Sequence, residues 1–179
     1  MSLRDDPRVL RFVDAARKFR TLIENPELKG EGLVRALLPA LAELYGAGLG
    51  LEDLQFEEPP DEALKAHDIP HEEWNAMYQQ LRDRIGPDAC YWQMFDPTED
   101  ESGDNLVAGD LGDDLADIYH DIVPALKALD TPDDLTCVSA VDSWRLKFSI
   151  HWGNHAVAAL KTLHWLEMKA GWGGPLRES

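Results

Sequence analysis

Cysteine is scarce in this chain, with two residues, Cys90 and Cys137, among 179. There is no CxxC pair and no metal-finger spacing, so neither a disulfide framework nor a structural zinc finger has support. Both thiols are expected to be free and buried. Positive charge is scarce too. The chain holds 17 Lys plus Arg against 34 Asp plus Glu, a formal net charge of −17, which repels nucleic-acid phosphates and anionic membrane surfaces. No nucleic-acid or membrane partner is therefore expected. Apolar runs look too short to span a bilayer, and MSLRDDPRVL offers no apolar signal core, so the expected compartment is the cytoplasm. The sequence also lacks a GxSxG elbow, a phosphate-binding loop, a dinucleotide glycine fingerprint and a Cys–His nucleophile pair. The acidic stretch from Asp96 to Asn105 does not have the ligand order of a calcium-binding EF-hand.

Apolar residues at 44% and charged residues at 28% are ordinary globular usage. A chain of this length buries roughly 70% of its unfolded surface in one core. Asp6 followed by Pro7 is a helix start, with a capping carboxylate and a proline where its missing N–H costs nothing. Val9, Phe12, Val13, Ala16, Phe19, Leu22 and Ile23 then recur at helical spacing, and Asn25-Pro26 ends the run. A second helix carries Leu33, Val34, Leu37, Leu38, Leu41, Leu44 and Tyr45. Pro39 should kink it, and the glycines from Gly46 to Gly50 should close it. Residues 51–66 read as a solvated, flexible connection, and 96–105 as an acidic loop. Ile69-Pro70 opens a third helix with Trp74, Met77, Tyr78, Leu81 and Ile85, stopped at Gly86-Pro87. Cys90 to Phe95 is either a helical turn or an extended plug.

The last third carries the chemistry. At about 100° per residue, Leu111, Leu115, Ile118, Ile122, Leu126 and Leu129 form one stripe, and Asp110, Asp114, Asp117 and Asp121 a second that borders the core. His120, Asp113 and Asp130 should face solvent. If Trp144 to Leu166 is one continuous helix, Trp144, Phe148, His151, His155, Thr162 and Leu166 share a buried stripe. Trp144, Trp152 and Trp165 are expected as core fillers. Gly153 marks a close backbone approach or a local kink.

Two histidines one turn apart, with aspartates on a neighbouring helix, could hold one metal ion. The spacing lacks the adjacent Glu of HExxH. The alternative is that His151 and His155 are core histidines satisfied by Asp114, Asp117, Asp121 or backbone carbonyls, since an unpartnered buried polar group costs roughly 1 to 3 kcal/mol. The candidate cluster is Asp114, Asp117, Asp121, His151, Trp152 and His155. The structural reading is preferred, with no bound metal and no cofactor expected.

LGDDLADIYHDI (Leu111 to Ile122), the W-x-x-x-F-x-x-x-W-G pattern from Trp144 to Gly153, and ALKTLH (Ala159 to His164) resemble the bacterial domain of unknown function 5063 family. IPHEEWNAMYQQLRDRIG and YWQMFDP fall in the same order. The resemblance implies a single helical domain and assigns no catalytic or binding residue. The expectation is an all-α single domain over 1–179, a bundle of about five or six helices. Its expected role is that of a binding or interaction protein without catalysis, whose protein or small-molecule partner and oligomeric state no motif names. The alternative is a metal-dependent, hydrolase-like pocket built on the Asp/His cluster.

Overall fold

The structure, a computed structural model, describes residues 2–57, 59, 69–94, 106–131 and 133–171. Helices dominate. The first, α1 (Pro7–Glu24), starts where the Asp6 carboxylate accepts from the Arg8 backbone N–H with Pro7 in the first turn, and Asn25 caps its other end. It packs on α2 (Gly30–Leu49), which in turn packs on the C-terminal helix, α6 (Gly153–Gly171). By length and composition α2 could cross a membrane, contrary to the impression its sequence gives. Its Leu33, Leu37, Leu41 and Leu44 are nevertheless wholly buried in the core of this fold. Pro39 lies inside α2 without ending it, and Gly46 and Gly48 are helical as well. The run closes the helix at its last member, Gly50, which caps it. The connection after α2 is also less solvated at its start than expected, because Leu51 and Leu54 are buried with the core. Residues 58 and 60–66 of that stretch, like the acidic loop at 96–105, lie outside the described residues.

The third helix, α3 (His71–Ile85), ends at Gly86, whose φ of 88° suits a residue without a Cβ. Near that end the buried Arg84 guanidinium donates to the Leu22, Ile23 and Leu28 carbonyls. It thereby satisfies two of the acceptors that α1 leaves free at its C-terminus, Leu22 and Ile23, and ties the chain beyond it at Leu28. Next comes a two-stranded antiparallel sheet, β1 (Cys90–Met94) and β2 (Leu106–Asp110), in which Tyr91 faces Gly109 across the pair. The segment from Cys90 is thus extended.

Helix α4 (Leu111–Ala128) packs against α1, α3, α5 (Asp134–Lys147) and α6. It is buried on most of its circumference, which a helix central to a bundle requires. Between α5 and α6 the chain stays helical but widens into a π segment, Phe148–Trp152. A π segment closes i→i+5 hydrogen bonds and so admits an extra residue per turn. Among the described residues the result is an all-α domain with one small hairpin.

Candidate metal centre

The acidic stripe of α4 and the histidine pair of the π segment and α6 face each other. Asp114 is 4% exposed and Asp121 5% exposed, so each carboxylate needs donors around it. Asp114 Oδ1 accepts from His155 Nδ1 at 2.8 Å, and its Oδ2 accepts from the Tyr91 hydroxyl at 2.6 Å. Two turns along α4, Asp121 Oδ2 accepts from His151 Nδ1 at 2.6 Å, while Lys147 Nζ lies 3.2 Å from Oδ1. A hydrogen bond from Nδ1 to a carboxylate fixes the tautomer and leaves Nε2 as the free atom of each ring.

Asp117 sits between those two on the same helix. Its Oδ1 accepts from the Trp74 indole N–H at 2.8 Å. Its Oδ2 lies 3.4 Å from His155 Nε2 and 4.0 Å from His151 Nε2. One ligand atom each from Asp117, His151 and His155 falls within 4.8 Å of the other two. The two rings meet edge to face with centroids 4.7 Å apart. Each of the three groups is thus held by a partner behind it, with a free atom turned toward a common point.

This point lies at the wall of a cleft of about 470 Å³ lined by Ile69, His71, Trp74, Asp117, His120 and His151. His71 stacks on Trp74, and Trp74 on Tyr78, at interplanar angles of 10° and 13°. The aromatic rung nearest the cleft is therefore anchored at the Asp117 carboxylate.

The charges shift accordingly. The hydrogen bond to Asp114 raises the His155 pKa above the ordinary imidazole value, against a smaller loss from burial. His120 is likewise raised by Asp121. Burial alone would raise the Asp121 carboxyl, but the nearby His120 ring, the hydrogen bond from His151 and the Lys147 ammonium bring it below its usual range. Asp113 is raised by burial and by the neighbouring carboxylates of Asp117 and Asp114.

Several residues sit elsewhere than the sequence suggests. The His151 side chain is 45% exposed and that of His155 24% exposed, so the pair rims the core and does not share a buried stripe with Trp144. The π segment is the cause: it turns the wholly buried Trp152 into the core instead. There the Trp152 indole N–H donates to the Trp144 carbonyl, and its ring meets Phe12 and Phe148, away from the cleft lining. His120 and Asp113 are half-buried, the former bonded to the Ile69 carbonyl, because α4 is enclosed on more sides than a two-stripe helix. Trp165 is 59% exposed near the far end of α6. Cys90 is exposed at the start of the hairpin, while Cys137 is buried.

Trp74, Tyr91 and Lys147 complete the cluster, and sequence spacing had not selected them. They reach Asp117, Asp114 and Asp121 from three different elements. The available signal was indirect: buried carboxylates demand donors, and indole, phenol and ammonium groups supply them.

The family model described as domain of unknown function (DUF5063) matches residues 5–169. The crystal structure of protein BF1032 from Bacteroides fragilis is similar in fold, with a TM-score of 0.74 and 21% sequence identity, over 97% of this chain and 98% of that one. No curated protein matches this chain.

Proposed function

This chain belongs to the DUF5063 family, whose description assigns no activity, and we propose that it holds a divalent first-row transition-metal ion, zinc foremost. The ligands are Asp117 Oδ2 and the Nε2 atoms of His151 and His155. The observation that carries this reading is the gap between them. At 3.4 and 4.0 Å the Nε2 atoms are too far from Asp117 for direct hydrogen bonds, which lie near 2.7 to 3.2 Å. For ligands bonded at 2.0 to 2.1 Å in a tetrahedron, donor atoms stand roughly 3.4 Å apart. One contact matches that spacing and the other needs a small approach by His151, the more exposed of the two rings.

Three protein ligands beside an open cleft are the pattern of a catalytic site, in contrast to a closed structural one. An ion there would lower the pKa of a bound water toward 7, and the cleft gives a substrate access to it. This favours the metal-dependent, hydrolase-like alternative over a binding module without catalysis. Behind the ligands, Asp114 and Asp121 orient the imidazoles and Trp74 orients the carboxylate.

The test is elemental analysis of untagged protein, stripped with chelator and then dialysed against micromolar zinc. About one zinc per chain is expected to be retained, with most of it lost in His155→Ala and in Asp117→Asn. Cobalt(II) in place of zinc should give the intense visible bands of a four-coordinate site. Wild-type protein that holds no zinc above a serum albumin-free buffer blank would overturn the reading.

A further inference from the structure

The hairpin is bound into the metal-centre cluster by one side chain, and a glycine makes room for it. Tyr91 and Gly109 are direct cross-strand partners. A Cβ on Gly109 would overlap Tyr91 Cζ and lie 2.7 Å from its hydroxyl. The phenol ring therefore lies over Gly109, in space that any other residue would fill. From there its hydroxyl donates to Asp114 Oδ2 at 2.6 Å. Asp114 in turn accepts from His155 Nδ1 at 2.8 Å. The chain of contacts runs Gly109, Tyr91, Asp114, His155.

We infer that Tyr91, seated over Gly109, is a positioning residue that fixes the Asp114 carboxylate and through it the ring of His155 in the metal-binding orientation. The inference rests on the metal reading above and assigns the hairpin a role in it. Asp114 has two oxygens and two donors. With Tyr91 on Oδ2, Oδ1 is left to His155 and the carboxylate cannot rotate without losing a buried hydrogen bond. The other arm differs, since Asp121 is shared between His151 and the Lys147 ammonium. The Tyr91 donor is a neutral phenol. Burial and the carboxylate neighbour both push the Tyr91 phenol far above its ordinary pKa, which keeps it a donor throughout the working range.

The experiment compares Tyr91→Phe, Gly109→Ala and Trp92→Ala with wild type. Trp92 lies next along β1, 68% exposed on the opposite face, and serves as the control. Zinc affinity is measured by chelator competition and the site geometry by the cobalt(II) visible spectrum. In metal-free protein, nitrogen NMR reads the His155 tautomer. Tyr91→Phe should weaken zinc by about ten-fold or more, the usual consequence of losing an outer-shell partner. It should also change the cobalt bands and convert His155 from the Nδ1–H tautomer to a mixture. Gly109→Ala should act in the same direction, and Trp92→Ala should leave all three readouts at wild-type values.

Wild-type zinc affinity and tautomer in Tyr91→Phe would overturn the inference while leaving the metal reading intact. If wild-type protein takes no zinc, the metal reading fails, and the tautomer decides for Tyr91 by itself. A shift in Tyr91→Phe supports its positioning role, and an unchanged tautomer refutes it.

Discussion

Gly48 and Trp152 show how tightly single residues are fitted. A glycine inside a helix usually costs about 1 kcal/mol relative to alanine, so Gly48→Ala in α2 would ordinarily stabilise. Here an added Cβ would lie 2.7 Å from Trp152 Cη2 and 3.2 Å from Phe148 Cδ2. Trp152 is wholly buried, and its indole N–H is committed to the Trp144 carbonyl at 3.1 Å, so the ring cannot swing aside without losing that bond. Overpacking of this kind costs about 1 to 3 kcal/mol and should outweigh the gain in propensity. We expect Gly48→Ala to lower the urea midpoint at an unchanged denaturant slope. A raised midpoint would show that the contact between α2 and the π segment yields easily. The two residues were legible separately, Trp152 as a core filler and the glycine run as a helix end. Only the contact between them explains why a glycine persists inside the helix.

At the scale of elements, the helices were readable because their apolar residues repeat and their caps are local. Asp6-Pro7, Asn25-Pro26 and Gly86-Pro87 each act within a few residues. The strand β2 was not readable: five residues, LVAGD, pair with β1 from across the acidic loop, and no short-range pattern encodes such pairing. The π segment was hidden for a different reason. Helical phase at about 100° per residue holds only while the turns stay α, and one widened turn offsets everything after it. This is why His151, placed with Trp144 by arithmetic, lies at the rim while Trp152 enters the core. The local sign was Gly153, where an added Cβ would run into the Phe148 carbonyl oxygen and lie 3.2 Å from its ring. We therefore expect Gly153→Ala to force the widened turn to rearrange, destabilising the protein by about 1 to 3 kcal/mol. Because His151 lies in that turn and His155 just after it, zinc affinity should fall along with stability. Thermal unfolding and chelator competition on the same samples check both, and a variant at least as stable as wild type with full zinc affinity would refute the role given to Gly153.

For the whole molecule the dominant quantity is the net charge of −17, whose self-repulsion is relieved as carboxylates protonate. That global effect works against the local one at carboxylates tied into the fold. Glu24, at the end of α1, accepts from the Tyr119 hydroxyl of α4 at 2.7 Å and from Arg20 Nε at 2.8 Å. Burial pushes its carboxyl up, but the hydrogen bonds from Arg20 and Tyr119 outweigh it, and the pKa ends below the ordinary value. A folded-state pKa below the unfolded one adds stability above the unfolded value, near 4.3 for Glu. That contribution is lost as pH falls through the folded value. The raw pH profile mixes this loss with relief of repulsion, so the informative quantity is the gap between wild type and Glu24→Gln, which differ by one charge. Wild type should be the more stable at pH 7, and the gap should narrow steadily as pH falls from about 5 to about 3. Urea unfolding of both proteins at several pH values measures it. A gap that stays constant across that range would mean that Glu24 joins α1 to α4 by packing and neutral hydrogen bonding alone, without its charge.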